Sequence, residues 1–119
     1  MYSIGTDIVK INRIRKLSSN KKFLNKIFTI KEIKYCFSYK APHIHFSGKY
    51  AGKEAVKNAL LSNKIINNIG LKDIEILNRK DKSPYAIVHP RNDLKCSISI
   101  SHDGDYAIAF AFLKGLFLY

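Results

Sequence analysis

Lys49, Lys53 and Lys57 recur every four residues, with a single carboxylate, Glu54, among them. On a helix this spacing lines three ammonium groups along one flank, and Glu54 stands on the neighbouring Tyr50–Glu54–Asn58 line. One acid beside a row of lysines suits a metal ion together with a polyphosphate. The same pattern also describes a solvated face with a helical ion pair, worth roughly a few tenths of a kcal/mol, so residues elsewhere must decide. Asp7 is the second acid of interest. It interrupts an otherwise apolar opening, where a carboxylate is costly unless it is exposed, paired or bound to a cation. It also has the right chemistry to cap a following helix. Ser101-His102-Asp103 is the third feature. Three adjacent residues cannot stack into a hydrolase relay, so His102 is either a phosphate contact at a strand end or an ordinary loop histidine. The common glycine-rich nucleotide loops are absent, and the four histidines and two cysteines show no zinc-ligand spacing.

The elements that must position these groups change character halfway along the chain. Tyr2–Ile8 predicts a short strand, Lys10–Ser19 a helix with Ile11, Ile14 and Leu17 on its apolar line, and Phe23–Phe28 a second helical segment or turn. Thr29-Ile30-Lys31-Glu32 is a capping box that starts a helix running to about Phe37. After a linker ending at Pro42, Phe46–Leu61 predicts the long helix, with Phe46, Tyr50, Ala51, Ala55, Ala59 and Leu60 inward. The second half turns to period two. Ile74–Leu77 and Tyr85–His89 predict a hairpin, and Cys96–Ser101 a strand with isoleucine on one face and serine on the other. Tyr106–Leu113 predicts a final strand, apolar enough to be buried on both sides. The class is α+β, helices packed on a mainly antiparallel sheet, in a single domain over residues 1–119.

Composition bounds the partners. A chain of 119 residues with 46% hydrophobic content can bury about two-thirds of its unfolded surface without staples. Cys36 and Cys96 make neither a disulfide framework nor a metal pattern, and a reducing compartment is expected. The N-terminus lacks the basic and apolar regions of a signal peptide. The apolar stretch Tyr106–Tyr119 is shorter than the about 20 residues a bilayer requires. A cytoplasmic protein without a membrane role is expected. The net charge of +12 invites a polyanionic partner. No aromatic-and-basic signature for single-stranded RNA stands out, and a small nucleic-acid-binding module, the alternative that charge favours, leaves Asp7 and Glu54 without a role.

Taken in order, Gly5-Thr6-Asp7-Ile8-Val9-Lys10-Ile11-Asn12-Arg13-Ile14, Lys49-Tyr50-Ala51-Gly52-Lys53-Glu54-Ala55, and Ser99-Ile100-Ser101-His102 followed by Tyr106-Ala107 resemble the holo-acyl-carrier-protein synthases. These are the small class of 4′-phosphopantetheinyl transferases. Phe28–Cys36 and Lys72–Asn78 resemble the same family, so the likeness runs nearly end to end. It implies transfer of 4′-phosphopantetheine from coenzyme A to a serine of apo acyl carrier protein, with 3′,5′-ADP leaving, in the service of fatty-acid biosynthesis. It further implies a magnesium ion on Asp7 and Glu54. Mg²⁺ takes one or two carboxylates plus substrate oxygens and waters, so two acids on separate elements make chemical sense. By the same resemblance Lys53 is a catalytic phosphate contact, and Lys49, Lys57 and His102 join it on the coenzyme A phosphates. Glu54 or a metal-bound water serves as the base. Arg13, Leu17 and Lys21 dock the acidic carrier protein, and the assembly is a homotrimer with active sites between subunits. The chain departs from the family pattern at Lys49-Tyr50-Ala51, where Arg-Phe-Ala is frequent. It departs also at Asn58, where a lysine is common, at Ser62-Asn63-Lys64 in place of Gly-Thr-Gly, and at Ser83 in place of a turn glycine.

Overall fold

A computed structural model describes residues 2–115. The chain opens with strand β1, Tyr2–Lys10, and continues through helices α1, Ile11–Leu17, α2, Lys21–Ile27, α3, Ile30–Phe37, and α4, Pro42–Ser62. A short 3₁₀ turn, Leu71–Asp73, leads into β2, Ile74–Asn78, then β3, Pro84–Val88, β4, Lys95–Asp103, and β5, Tyr106–Lys114. The α+β expectation holds. β1, β5 and β4 form one antiparallel sheet in that order, and β2 and β3 form a two-stranded one. The hairpin turn at Asp103-Gly104-Asp105 places Gly104 at φ +58°, the left-handed region that glycine enters without strain.

Local signals set most boundaries. Asn20 caps α2 by accepting from the Lys22 and Phe23 N–H groups. Thr29 and Glu32 form the expected capping box of α3. Pro42 sits at the start of α4, where its missing N–H costs nothing and its fixed φ suits a helix. Several boundaries differ from expectation: α4 begins at Pro42 rather than Phe46, α2 at Lys21 rather than Phe23, and β4 spans Lys95–Asp103. β1 runs two residues further than the periodicity suggests, because its pairing with β5 continues to Lys10 opposite Tyr106. α1 accordingly begins at Ile11, capped by no side chain, which removes helix capping as a role for Asp7.

α4 is the central element. Phe46, Ala51, Ala55, Val56, Ala59 and Leu60 are buried on it, between the three-stranded sheet and the β2–β3 pair. Phe28 from the end of α2 packs against Phe46 with the rings tilted and their centroids 5.0 Å apart, and each such large buried side chain contributes about 1.5–3 kcal/mol. β5 is buried on one face only, against the expectation of both. Ala107, Ala109, Ala111 and Leu113 face the core, while Tyr106, Ile108 and Phe110 are exposed. Tyr2, Ile4 and Ile8 of β1 extend that apolar outer face. In β4 the isoleucines pack inward and the serines face out, as the alternation predicts.

Candidate active site

Alternation along β1 turns Ser3, Gly5, Asp7 and Val9 toward α4. At Gly5 the two backbones touch: a Cβ there would lie 1.9 Å from the Ala55 carbonyl oxygen and 2.5 Å from the Ala59 nitrogen. Only glycine permits that approach. It brings β1 against α4 two residues before Asp7 and one residue after Glu54. The side-chain amide of Asn58, one helical turn past Glu54, donates to the Thr6 carbonyl at 2.9 Å. Asn63 does the same for Tyr2 at 3.2 Å, so α4 satisfies carbonyls along the free edge of β1.

The two carboxylates feel each other. Asp7 is pushed up from 3.8 to about 6, first by burial and next by the negative charge of Glu54, with Arg13 and the Ile8 N–H pulling in the opposite direction. Tyr50 is raised by burial and then by Glu54. Arg13 lies with its guanidinium 5.8 Å from the Tyr50 ring centroid. Asp7, Glu54, Tyr50 and Arg13 are therefore one electrostatic neighbourhood with an excess of negative charge at its centre. Among the described residues no group of three or more His, Cys, Asp or Glu could hold a metal. Two under-compensated carboxylates fit a hard cation that completes its shell with substrate oxygens and water, as Mg²⁺ does. They do not fit an all-protein metal cage.

A cavity of about 300 Å³ opens on the other side of α4, lined by Tyr35, Tyr39, His45, Lys49, Asn78, Lys82, Pro84, Ile100 and His102 among others. Tyr39 and His45 stack at 3.8 Å. Burial lowers the His45 pKa, and the neighbouring charges of Lys49, His102 and Lys82 lower it further, which marks the cavity as electropositive. Flat rings beside concentrated positive charge suit an aromatic anion. His102, expected on phosphate, is exposed at the end of β4 and lines this cavity. Tyr39, His45 and Lys82 were not among the sequence candidates. Lys82, at φ +73°, needs the folded hairpin to aim it at Tyr39, with its ammonium 5.8 Å from that ring centroid.

The lysine row does not stay together. Lys53 is completely buried. Its ammonium meets Glu32 Oε1 at 2.7 Å and donates to the carbonyls of Leu71, at 3.0 Å, and Ile74. An ammonium has three donors, and in this arrangement all three meet protein oxygens, whereas the family resemblance places Lys53 on phosphate. Lys49, 4% exposed, donates to the Ile76 carbonyl at 2.6 Å and to Asn78 Oδ1 at 2.7 Å. It lends charge to the cavity wall, but its donors face β2. Lys57 is partly exposed. Arg13 and Leu17 are exposed one turn apart on α1, and Lys21 is exposed at the first position of α2.

The fold and these motifs define a class. The family model of the 4′-phosphopantetheinyl transferase superfamily matches residues 3–111, and the chain belongs to that superfamily. Within it, the chain is 44% identical over 109 residues to a holo-(acyl-carrier-protein) synthase of Thermodesulfovibrio yellowstonii, covering 90% of this chain and 93% of that protein. It is 47% identical over 118 residues to the synthase of the same name from Chlamydia felis, covering 93% and 95%. Among solved structures, a holo-(acyl-carrier-protein) synthase from Helicobacter pylori in complex with coenzyme A superposes with a TM-score of 0.78 at 30% identity, covering 93% of this chain and 99% of the other. One from Bacillus anthracis, in complex with CoA (3′,5′-ADP), gives 0.80 at 28%, covering 95% and 96%.

Proposed function

We propose that this chain transfers the 4′-phosphopantetheine group of coenzyme A to a serine of an apo acyl carrier protein, releasing 3′,5′-ADP, and so supplies holo carrier protein for fatty-acid biosynthesis. The observation that carries the reading is the pair Asp7 and Glu54, brought into one neighbourhood by the Gly5–Ala55 backbone contact, where the charge of Glu54 helps raise the Asp7 carboxyl. Relatives at 44% and 47% identity bear the name of this activity, and solved neighbours carry coenzyme A.

Asp7 and Glu54 would hold Mg²⁺, which when bound neutralises charge on the pyrophosphate and orients it. The residues of the chain do the rest. The cavity beside His102 takes the adenosine end of coenzyme A, with Tyr39 and His45 offering stacking surface and Lys82 and His102 offering charge. Arg13, Leu17 and Lys21 face solvent, where a basic and apolar strip suits an acidic carrier helix. The apolar outer face of β1 and β5, with Ile8 61% and Phe110 45% exposed, is larger than isolated surface residues explain. It supports a homotrimer in which other copies cover that face and complete the sites. Both cysteines are free, in keeping with action in the cytoplasm.

Mass spectrometry of apo carrier protein incubated with coenzyme A, Mg²⁺ and this protein tests the reading. A mass gain of one phosphopantetheine group per carrier, abolished by chelator, is expected. Folded protein that gives no gain, yet binds RNA with a steep salt dependence, would overturn it in favour of a nucleic-acid role.

A further inference from the structure

Glu32 is a fully buried carboxylate on α3. Its Oε1 accepts the Thr29 N–H at 2.8 Å and the Lys53 ammonium at 2.7 Å, and its Oε2 accepts the Ile76 N–H at 2.7 Å. Lys53 spends its other donors on Leu71 and Ile74. A single ion pair thus ties α3, α4, the 3₁₀ turn and β2 together, and no buried side-chain nitrogen or oxygen among the described residues lacks a partner. Thr29 Oγ1 donates to Glu75 Oε2 at 2.6 Å, and Glu75 meets His89 at 3.0 Å, which braces the same junction from its far side.

A buried pair is poor value as a source of stability, because desolvation offsets most of its attraction and apolar replacements often do as well. What it fixes is geometry. Lys53, Glu54 and Ala55 are consecutive, and successive helical residues point about 100° apart. Lys53 anchors one side of α4 to Glu32 and β2, Ala55 rests on Gly5 of β1 on another, and Glu54 projects between the two anchors beside Asp7. We infer that the Glu32–Lys53 pair is a positioning device that sets the rotation of α4 and so aims the Glu54 carboxylate. Its role is to set the affinity of the Asp7–Glu54 pair for a divalent cation. This inference rests on the reading of those two carboxylates as a cation site.

The test compares wild type, Glu32→Gln, Lys53→Met and the double variant in the full-length chain. Mn²⁺ serves as the probe, its free concentration read by electron paramagnetic resonance, and circular dichroism reports folding. Each single variant is expected to weaken Mn²⁺ binding and lower kcat by about tenfold, the effect usual for groups that orient metal ligands, with KM for coenzyme A unchanged. The double variant leaves no unpaired buried charge, so it folds, and its defect should match a single variant rather than the product of two. A folded double variant that binds Mn²⁺ as wild type does would overturn the positioning role. A raised KM for coenzyme A in Lys53→Met, with Glu32→Gln normal, would overturn it too and make Lys53 a phosphate ligand. Wild type that binds no Mn²⁺ and transfers nothing would defeat the underlying site reading along with the inference. Wild type that does both, with variants that match it, would defeat the inference alone.

Discussion

Two flanks of α4 carry charge, and they use it in opposite ways. On the β2 flank, Lys49 and Lys53 are buried; all three Lys53 donors are matched, to Glu32 and the carbonyls of Leu71 and Ile74, and two Lys49 donors are matched, to Asn78 and the Ile76 carbonyl. On the β1 flank, Asp7 and Glu54 are partly exposed, and the charge they share is only partly answered by Arg13. The matched flank turns its hydrogen bonds into the fold, and only Lys49 adds charge to the cavity wall. The unmatched one carries a standing electrostatic cost that a bound cation removes. Charge density alone does not mark a site; charge left uncompensated by the fold does.

The largest effect expected from this difference is on the matched flank. Lys53→Met leaves Glu32 ionised and buried without its partner, and breaking such a pair costs about 3–5 kcal/mol. Glu54→Gln, one residue away, should cost almost nothing in stability while removing transfer by about a hundredfold or more. Urea unfolding and a transfer assay, run on both variants, check this crossed outcome. Equal losses of stability would mean that the two flanks do not differ in the way described.

The next effect is a pH dependence confined to the unmatched flank. The folded-state pKa of Asp7, about 6, lies above its ordinary 3.8. A raised carboxylate stabilises the fold most fully below the unfolded value, and that contribution is lost as pH rises through about 6. Cation-free wild type should therefore fall behind Asp7→Asn between about pH 4 and pH 6. The gap should level off at roughly 1–2 kcal/mol, after discounting for the partial exposure of Asp7. Millimolar Mg²⁺ at pH 7 should close or reverse it. A gap that is constant across the range, measured by chemical unfolding at each pH, would remove Asp7 as the titrating group.

How much of this could be read beforehand follows the same division. The hairpin strands, the Thr29–Glu32 cap and the inward alanines of α4 depend on local pattern, and they appear where the periodicity puts them. Asp7 and Glu54 were identifiable as candidates from motif order, and the fold brings them into one neighbourhood. The fate of Lys53 was not readable, because a lysine every fourth residue looks the same whether its partners are solvent or the carbonyls of a strand twenty residues on. Glu32 was hidden for a related reason: its capping role is local and visible, whereas its bonds to Lys53 and Ile76 exist only after α3, α4 and β2 meet. The one-sided burial of β5 escaped because Tyr106, Ile108 and Phe110 are as apolar as core residues while facing outward, a pattern that a second copy of the chain would explain and a lone sequence does not separate from a buried strand.

The smallest effect concerns what holds the unmatched flank in place. Asn58 donates to the Thr6 carbonyl next to Asp7. The bond is exposed, so water replaces it readily, and Asn58→Ala should cost about 0.5–1 kcal/mol. The Gly5–Ala55 contact is backbone on backbone and survives that substitution. Mn²⁺ affinity should then shift by less than about threefold, since aim is kept by packing on one side and by the Glu32–Lys53 pair on the other. A shift near that of Glu32→Gln would show that a single side-chain bond at the sheet edge, rather than the buried anchors, holds β1 in register with Glu54.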